Sequence, residues 1–129
     1  MATAINFATT PRVGAATVST ANTNRDGSGT VATVLTAGTN GTRIDRIRVQ
    51  ATVTTTAGMV RLFLHDGTNF WPLEEVPVAA VTVSASVAGA SRDVFFGDAR
   101  PLSLPTGWSI RASVHNAEAH VVTVVGADY

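Results

Sequence analysis

Apolar and polar residues alternate with a period of two in one segment after another, and no stretch sustains the three-to-four spacing of an amphipathic helix. Between residues 46 and 54, RIRVQATVT, the side chains of Ile47, Val49, Ala51 and Val53 alternate with Arg46, Arg48, Gln50, Thr52 and Thr54. That pattern predicts a strand with one buried face, and it turns two arginines and a row of threonines away from the core. Residues 30–37 set Val31, Thr33 and Leu35 on one face, and residues 59–65 set Val60, Leu62 and Leu64 opposite Arg61, Phe63 and His65. Residues 76–87 carry Val81, Val83, Ala85 and Val87 at alternate positions and are read as another strand. In GWSIRASVH, residues 107–115, Trp108, Ile110, Ala112 and Val114 point inward while Ser109, Arg111, Ser113 and His115 point outward. A last strand follows in AHVVTVVGA, residues 119–127.

Turn chemistry divides these segments. Asn40-Gly41 is read as a hairpin turn, Asp66-Gly67-Thr68-Asn69 is a second strong turn, and Ala88-Gly89-Ala90 and Asn116-Ala117-Glu118 are short connections. Pro72 makes residues 70–73 an edge strand or a covering loop, and the prolines at 101 and 105 make residues 97–105 a covering loop. With about eight strands at this spacing, the prediction is all-β: a single-domain β-sandwich over residues 1–129, jelly-roll-like and antiparallel. Residues 1–28 are small, polar and weakly alternating, so they are expected to be either an N-terminal arm ordered against a neighbour or a first edge strand with a long loop.

Composition narrows the class of function. Only 14% of the 129 residues are charged and the net charge is zero, so no long-range field draws in nucleic acid or an anionic membrane. All nine basic residues are arginine, a residue suited to contacts buried between chains, although a GC-rich genome favours it too. Cysteine is absent, which removes disulfides, thiolate chemistry and Cys-ligated zinc. The first twenty residues have neither a basic leader nor a sustained apolar run, the pattern expected of a chain that is not exported.

Candidate chemistry is sparse. Asn22, Asn24 and Asp26 before Gly27 echo the start of a calcium loop, but Thr33 stands where a bidentate glutamate should complete the shell. His115 and His120 flank a short turn and could face each other near Glu118, yet nothing brings His65 to them. Adjacent Glu74 and Glu75 point to opposite faces of a strand and cannot act as a facing acid and base. Trp71, Phe70 and Trp108 could form a sugar-stacking platform, although Trp108 falls in the inward register. The expectation is a protein without catalytic residues, metal or cofactor.

The segments STANTNRDGSGT (19–30), TAGTNGTRIDRIRVQATVTTTAGMVRLFLHDG (36–67), LPTGWSIRASV (104–114) and GADY (126–129) span nearly the whole chain. On these segments it resembles a small family of proteins from tailed bacteriophages and prophages, encoded among head genes. More loosely, the β architecture looks like that of capsid decoration, or cement, proteins. The resemblance implies a virion structural protein on the outer capsid surface, assembled in the host bacterial cytoplasm. Its partners would be the major capsid protein and further copies of itself, as a homotrimer, with no nucleic acid and no membrane. Arg12, Arg46, Arg48, Thr52 and Thr54 are the expected contact residues with capsid or neighbouring subunits. The alternatives are a head-completion, neck or tail component, or a carbohydrate-binding module of a phage tail using Trp71 and the loop around His65.

Overall fold

A computed structural model describes residues 7–129 as nine strands with no helix. The strands are β1 (Thr10–Val18), β2 (Ala32–Thr36), β3 (Thr42–Ala51), β4 (Gly58–His65), β5 (Phe70–Val78), β6 (Ser91–Phe95), β7 (Ser103–Leu104), β8 (Ser109–Val114) and β9 (His120–Asp128). They form two antiparallel sheets. One has the order β1-β9-β3-β6, with the short β7 also against β3, and the other has β2-β8-β4-β5. No helix among the described residues is long and apolar enough to cross a membrane.

The strand pairs nest like parentheses: β1 with β9, β2 with β8, β3 with β6, and β4 with β5. Two further pairings, β3 with β9 and β4 with β8, roll that long folded ribbon into a sandwich. This is the jelly-roll arrangement, built by eight strands with β7 as an addition. Between the sheets the inward side chains Ile47, Val60, Leu62, Ile110, Val122 and Val124 are all at most 1% exposed, as the alternation predicts.

Several expected elements differ. Val34 and Leu35 are both buried because a bulge at Thr33/Leu35 lets two successive residues of β2 turn inward. A second bulge between Ile44 and Arg46 brings Ile44 onto the inward face together with Ile47, Val49 and Ala51. Residues 38–41 do not close a hairpin: Gly41 N donates to Gly38 O, but β2 and β3 lie in different sheets, so this turn carries the chain across the sandwich. The segment from Val81 to Val87 is not a strand. It crosses from β5 in one sheet to β6 in the other, forms only single bridges at Thr55–Val81 and Ser84–Val87, and leaves Val87 exposed. Residues 70–73, read as an edge strand or a covering loop, begin an edge strand that runs on to Val78 despite Pro72 and Pro77 and takes in the first residues of the segment read as the next strand.

Residues 10–18 are an edge strand paired with β9 along its whole length, which favours the edge-strand expectation over the arm; residues 1–6 of the expected arm lie outside the described residues. Residues 19–31, which take in the rest of that segment, are a strap over the outer face of the β2-β8-β4-β5 sheet. Asn22 N donates to Val114 O in β8, Arg25 pairs with Glu75 in β5, and Gly27 lies against the Phe70 ring. Beneath it, Arg61, Phe63, His65, Ser109 and Ser113 are buried although the alternation turns them outward. Phe63 meets Phe70 edge-to-face with ring centroids 5.9 Å apart, and the Arg111 guanidinium stacks on Phe70 at 5.6 Å. The strap is held by Asn22, whose Nδ2 donates to Ser28 O and Thr30 O at 2.9 Å each and whose Oδ1 accepts from Asn24 N. Asp26 accepts from Ser28, so the oxygens that echo a calcium loop are turned into the loop's own bonds.

Candidate functional site

The two outer faces are unlike. One lies under the strap, whereas on the β1-β9-β3-β6 sheet every outward side chain at alternate positions from Val13 to Thr17, Val121 to Val125, Arg46 to Gln50 and Ser91 to Phe95 is exposed or half-buried. Strand register arranges these side chains in three rows. Val13, Val125, Arg46 and Phe95 form one row; Ala15, Thr123, Arg48 and Asp93 form the next; Thr17, Val121, Gln50 and Ser91 form the third. Val13 and Phe95, at the two ends of the first row, are 67% and 65% exposed. With half-buried Val125 between them, these two exposed side chains make the first row the most apolar of the three.

Within this face Arg48 is neutralised, donating to Asp93 at 3.0 Å and to Gln50 at 3.1 Å. Arg46 is not. Six of the nine arginines form ion pairs, and Arg111 bonds Ser109 and stacks on Phe70. Arg46, flanked by Val125 and Phe95, has no ion pair or side-chain hydrogen bond among the described residues, and its Nε is buried without a partner. A guanidinium in an apolar row is set to receive a carboxylate or carbonyl from outside the chain.

The other expected contact residues lie elsewhere. Arg12 is on the inward register at one end of the sandwich, where its guanidinium donates to both oxygens of Asp128 and to Thr36 O. Thr42 Oγ1 donates to Asp128 at 2.6 Å and accepts from Gly38 N, so β1, β3, β9 and the end of β2 are clamped together there. Thr52 and Thr54 are not on the sheet face, because β3 ends at Ala51 and Val53 is itself 39% exposed. They pin loops instead: Thr52 N and Oγ1 donate to Ala119 O, and Thr54 Oγ1 accepts from Val83 N. The residues of this face that the alternation alone passed over are Val13 and Phe95. A period-two pattern marks inward positions well but gives no sign that an outward valine or phenylalanine stays uncovered.

The remaining candidates separate. His120 opens β9, whereas His115 follows the end of β8 in the other sheet; His115 Nδ1 lies 3.3 Å from Arg61 and His120 Nδ1 lies 2.8 Å from Glu118 O. No group of three metal-ligating side chains occurs among the described residues. Trp71 is 48% exposed at the β4–β5 turn with its Nε1 donating to Asp66, but His65 is buried and Trp108 packs against the main core.

The carboxylates that tie turns and strands together have pKa values below their usual range. Asp128 is lowered chiefly by the Thr42 hydroxyl and then by Arg12, Glu75 by Arg25 and then Arg61, Asp66 by the backbone N–H groups of Asn69 and Thr68, and Glu118 by Thr56. A carboxylate whose folded-state pKa is depressed contributes stability above its unfolded value, near 4, and that contribution is lost as pH falls through the lower folded value. Thermal melts are therefore expected to be flat from about pH 7 to 5 and to fall progressively below about pH 4. Asp128→Asn should melt lower than the parent at pH 7 and show a shallower acid decline. A parent protein that melts higher at pH 3 than at pH 7 would contradict this assignment.

No known protein family matches the chain, and no curated protein shows significant similarity to it.

Proposed function

We propose that this chain is a non-enzymatic structural protein of a tailed-bacteriophage virion, a decoration protein that attaches to the outside of the head. The outer β1-β9-β3-β6 face, uncovered among the described residues, would dock on the major capsid protein. The observation that carries the docking face is Arg46, a cation without a partner among the described residues, in an apolar row between exposed Val13 and Phe95. The bacteriophage assignment itself comes from the sequence resemblance. A face of this kind suits a repeating surface: the apolar side chains supply area, and the guanidinium supplies direction. Any protein that binds the assembled shell but not its free subunits stabilises the shell by mass action. A homotrimer, placed where three shell subunits meet, would repeat each contact three times and raise avidity without stronger single contacts.

The test is to add purified protein to undecorated heads and measure copy number, affinity and protection from heat. Hundreds of copies per head and a trimer by light scattering are expected. Charge-assisted hydrogen bonds contribute about 1.5–3 kcal/mol, so Arg46→Ala should weaken binding by roughly ten-fold to a hundred-fold. Phe95→Asp should do at least as much. Arg25→Ala, on the strap at the opposite face, should bind like the parent. Full binding by Arg46→Ala and Phe95→Asp would reject the docking face. Six or twelve copies per particle would replace the shell station with a neck or tail ring. A parent protein that neither binds nor protects the heads would reject decoration altogether.

A further inference from the structure

A cleft of about 250 Å³ opens where β5, the edge of one sheet, and β6, the edge of the other, diverge. Val49, Val76, Val78, Val81 and Ala90 make its walls apolar, and His120 also lines it. His120 is 4% exposed, and its Nε2 is buried with no hydrogen-bond partner among the described residues. Its other nitrogen settles the chemistry. Nδ1 lies 2.8 Å from Glu118 O, and a carbonyl oxygen only accepts, so Nδ1 carries the proton. In the neutral ring Nε2 is then an acceptor without a donor among the described residues, on a side chain that lines the apolar cleft.

We propose that this cleft binds a small neutral molecule with an apolar body and a single O–H or N–H donor, of the class of short alcohols and primary amides, with the donor bonded to His120 Nε2. The apolar walls take the body of the ligand, while the unpartnered His120 Nε2 fixes its orientation. A carboxylate fits less well, because it brings lone pairs against the Nε2 lone pair. Its attraction would be to Arg92, which also lines the cleft but is exposed, so water and salt screen it. The site is formed by β3, β5, β6, β9 and the 79–90 loop, and of its lining residues only Ser91 also belongs to the rows of the proposed capsid-docking face.

The probes are benzyl alcohol, toluene and benzoate, titrated into nitrogen-15-labelled protein while the His120 ring nitrogens are followed by long-range proton–nitrogen correlation. Benzyl alcohol is expected to bind saturably and to move Nε2 in the direction of an accepted hydrogen bond. It should bind about ten-fold or more tightly than toluene, which lacks the donor, or benzoate, which lacks the neutral O–H. Val81→Trp fills the cleft from a loop in which Val81 bonds Thr55 through its own backbone alone, so it should keep the parent's melting temperature and lose about ten-fold or more in affinity. If that variant fails to fold, the ranking of the three probes on the parent decides. The absence of saturable binding at millimolar concentration, toluene or benzoate binding as well as the alcohol, or alcohol binding that leaves His120 Nε2 unmoved would each overturn the proposal.

Discussion

Gly126→Val is expected to abolish folding, and Gly126→Ala to leave a soluble but strongly destabilised protein. Gly126 sits in β9, the strand between β1 and β3, opposite the bulge at Ile44/Arg46. A Cβ there would lie 2.0 Å from Arg43 O and 3.0 Å from Arg43 C. These are backbone atoms of a paired strand, so no side chain can swing away to make room. Relief requires β3 and β9 to separate, and β9 also carries β1 on its other edge. Overpacking of well-filled sites costs about 1–3 kcal/mol and at times more, and a main-chain clash belongs at the upper end of that range. The two further carbons of valine add to it against a total stability of about 5–15 kcal/mol for an ordinary domain. Expression, circular dichroism and urea melts of the two variants test this. Parent-like melts for both would mean that the bulge and the β3–β9 register are wrong.

Phe63→Ala should cost about 3–5 kcal/mol, the range for truncating a large buried aromatic side chain. It should also release the strap before the rest of the molecule unfolds. Phe63 is 1% exposed, yet it lies outside the main core, on the sheet face beneath residues 19–31. It supports Phe70 edge-to-face, and Phe70 in turn supports Gly27. Removing the Phe63 ring should loosen the strap and let trypsin cut after Arg25, whose side chain is already 72% exposed. Leu62→Ala is the comparison, because Leu62 faces the main core from the same strand. It should lower the melting temperature while leaving Arg25 cleavage, under conditions where the protein stays folded, close to that of the parent. Equal early cleavage in both variants would show that the strap is not anchored by the outer layer.

Much of the architecture was legible because two-sheet packing imposes a period of two on each strand, and Ile47/Val49, Val60/Leu62 and Ile110/Ala112/Val114 follow it closely. Where the reading failed, the cause was a partner distant in sequence. Phe63 and His65 alternate as outward residues should, but the strap that buries them is contributed by residues 19–31. Val81 to Val87 alternate equally well, yet they join neither sheet and form only single bridges, because the chain there crosses from β5 in one sheet to β6 in the other. The Asn40-Gly41 turn has good hairpin chemistry, and local turn chemistry does not reveal whether the next strand stays in the same sheet. The candidate face was half legible. Arg46 and Arg48 were visible as outward arginines, but their difference depends on β6: Asp93 stands beside Arg48 and Phe95 beside Arg46. His120 was visible only as one of a histidine pair, since the acceptor left over on its ring depends on Glu118 O and on the cleft walls.

The nesting of strand pairs has a consequence for synthesis on the ribosome. Arg12 and Asp128, joined across β1 and β9, are 116 positions apart, and β9 lies between β1 and β3. While residues 120–128 remain inside the exit tunnel, that sheet lacks its middle strand, and the apolar faces of β1 and β3 wait without a common neighbour. Native structure is therefore reached only after those residues emerge, at the slower rates of proteins dominated by distant pairings. A nascent chain stalled before residue 120 carries no closed sandwich, so interrupted synthesis leaves an incompletely folded product open to proteolysis instead of a stable fragment.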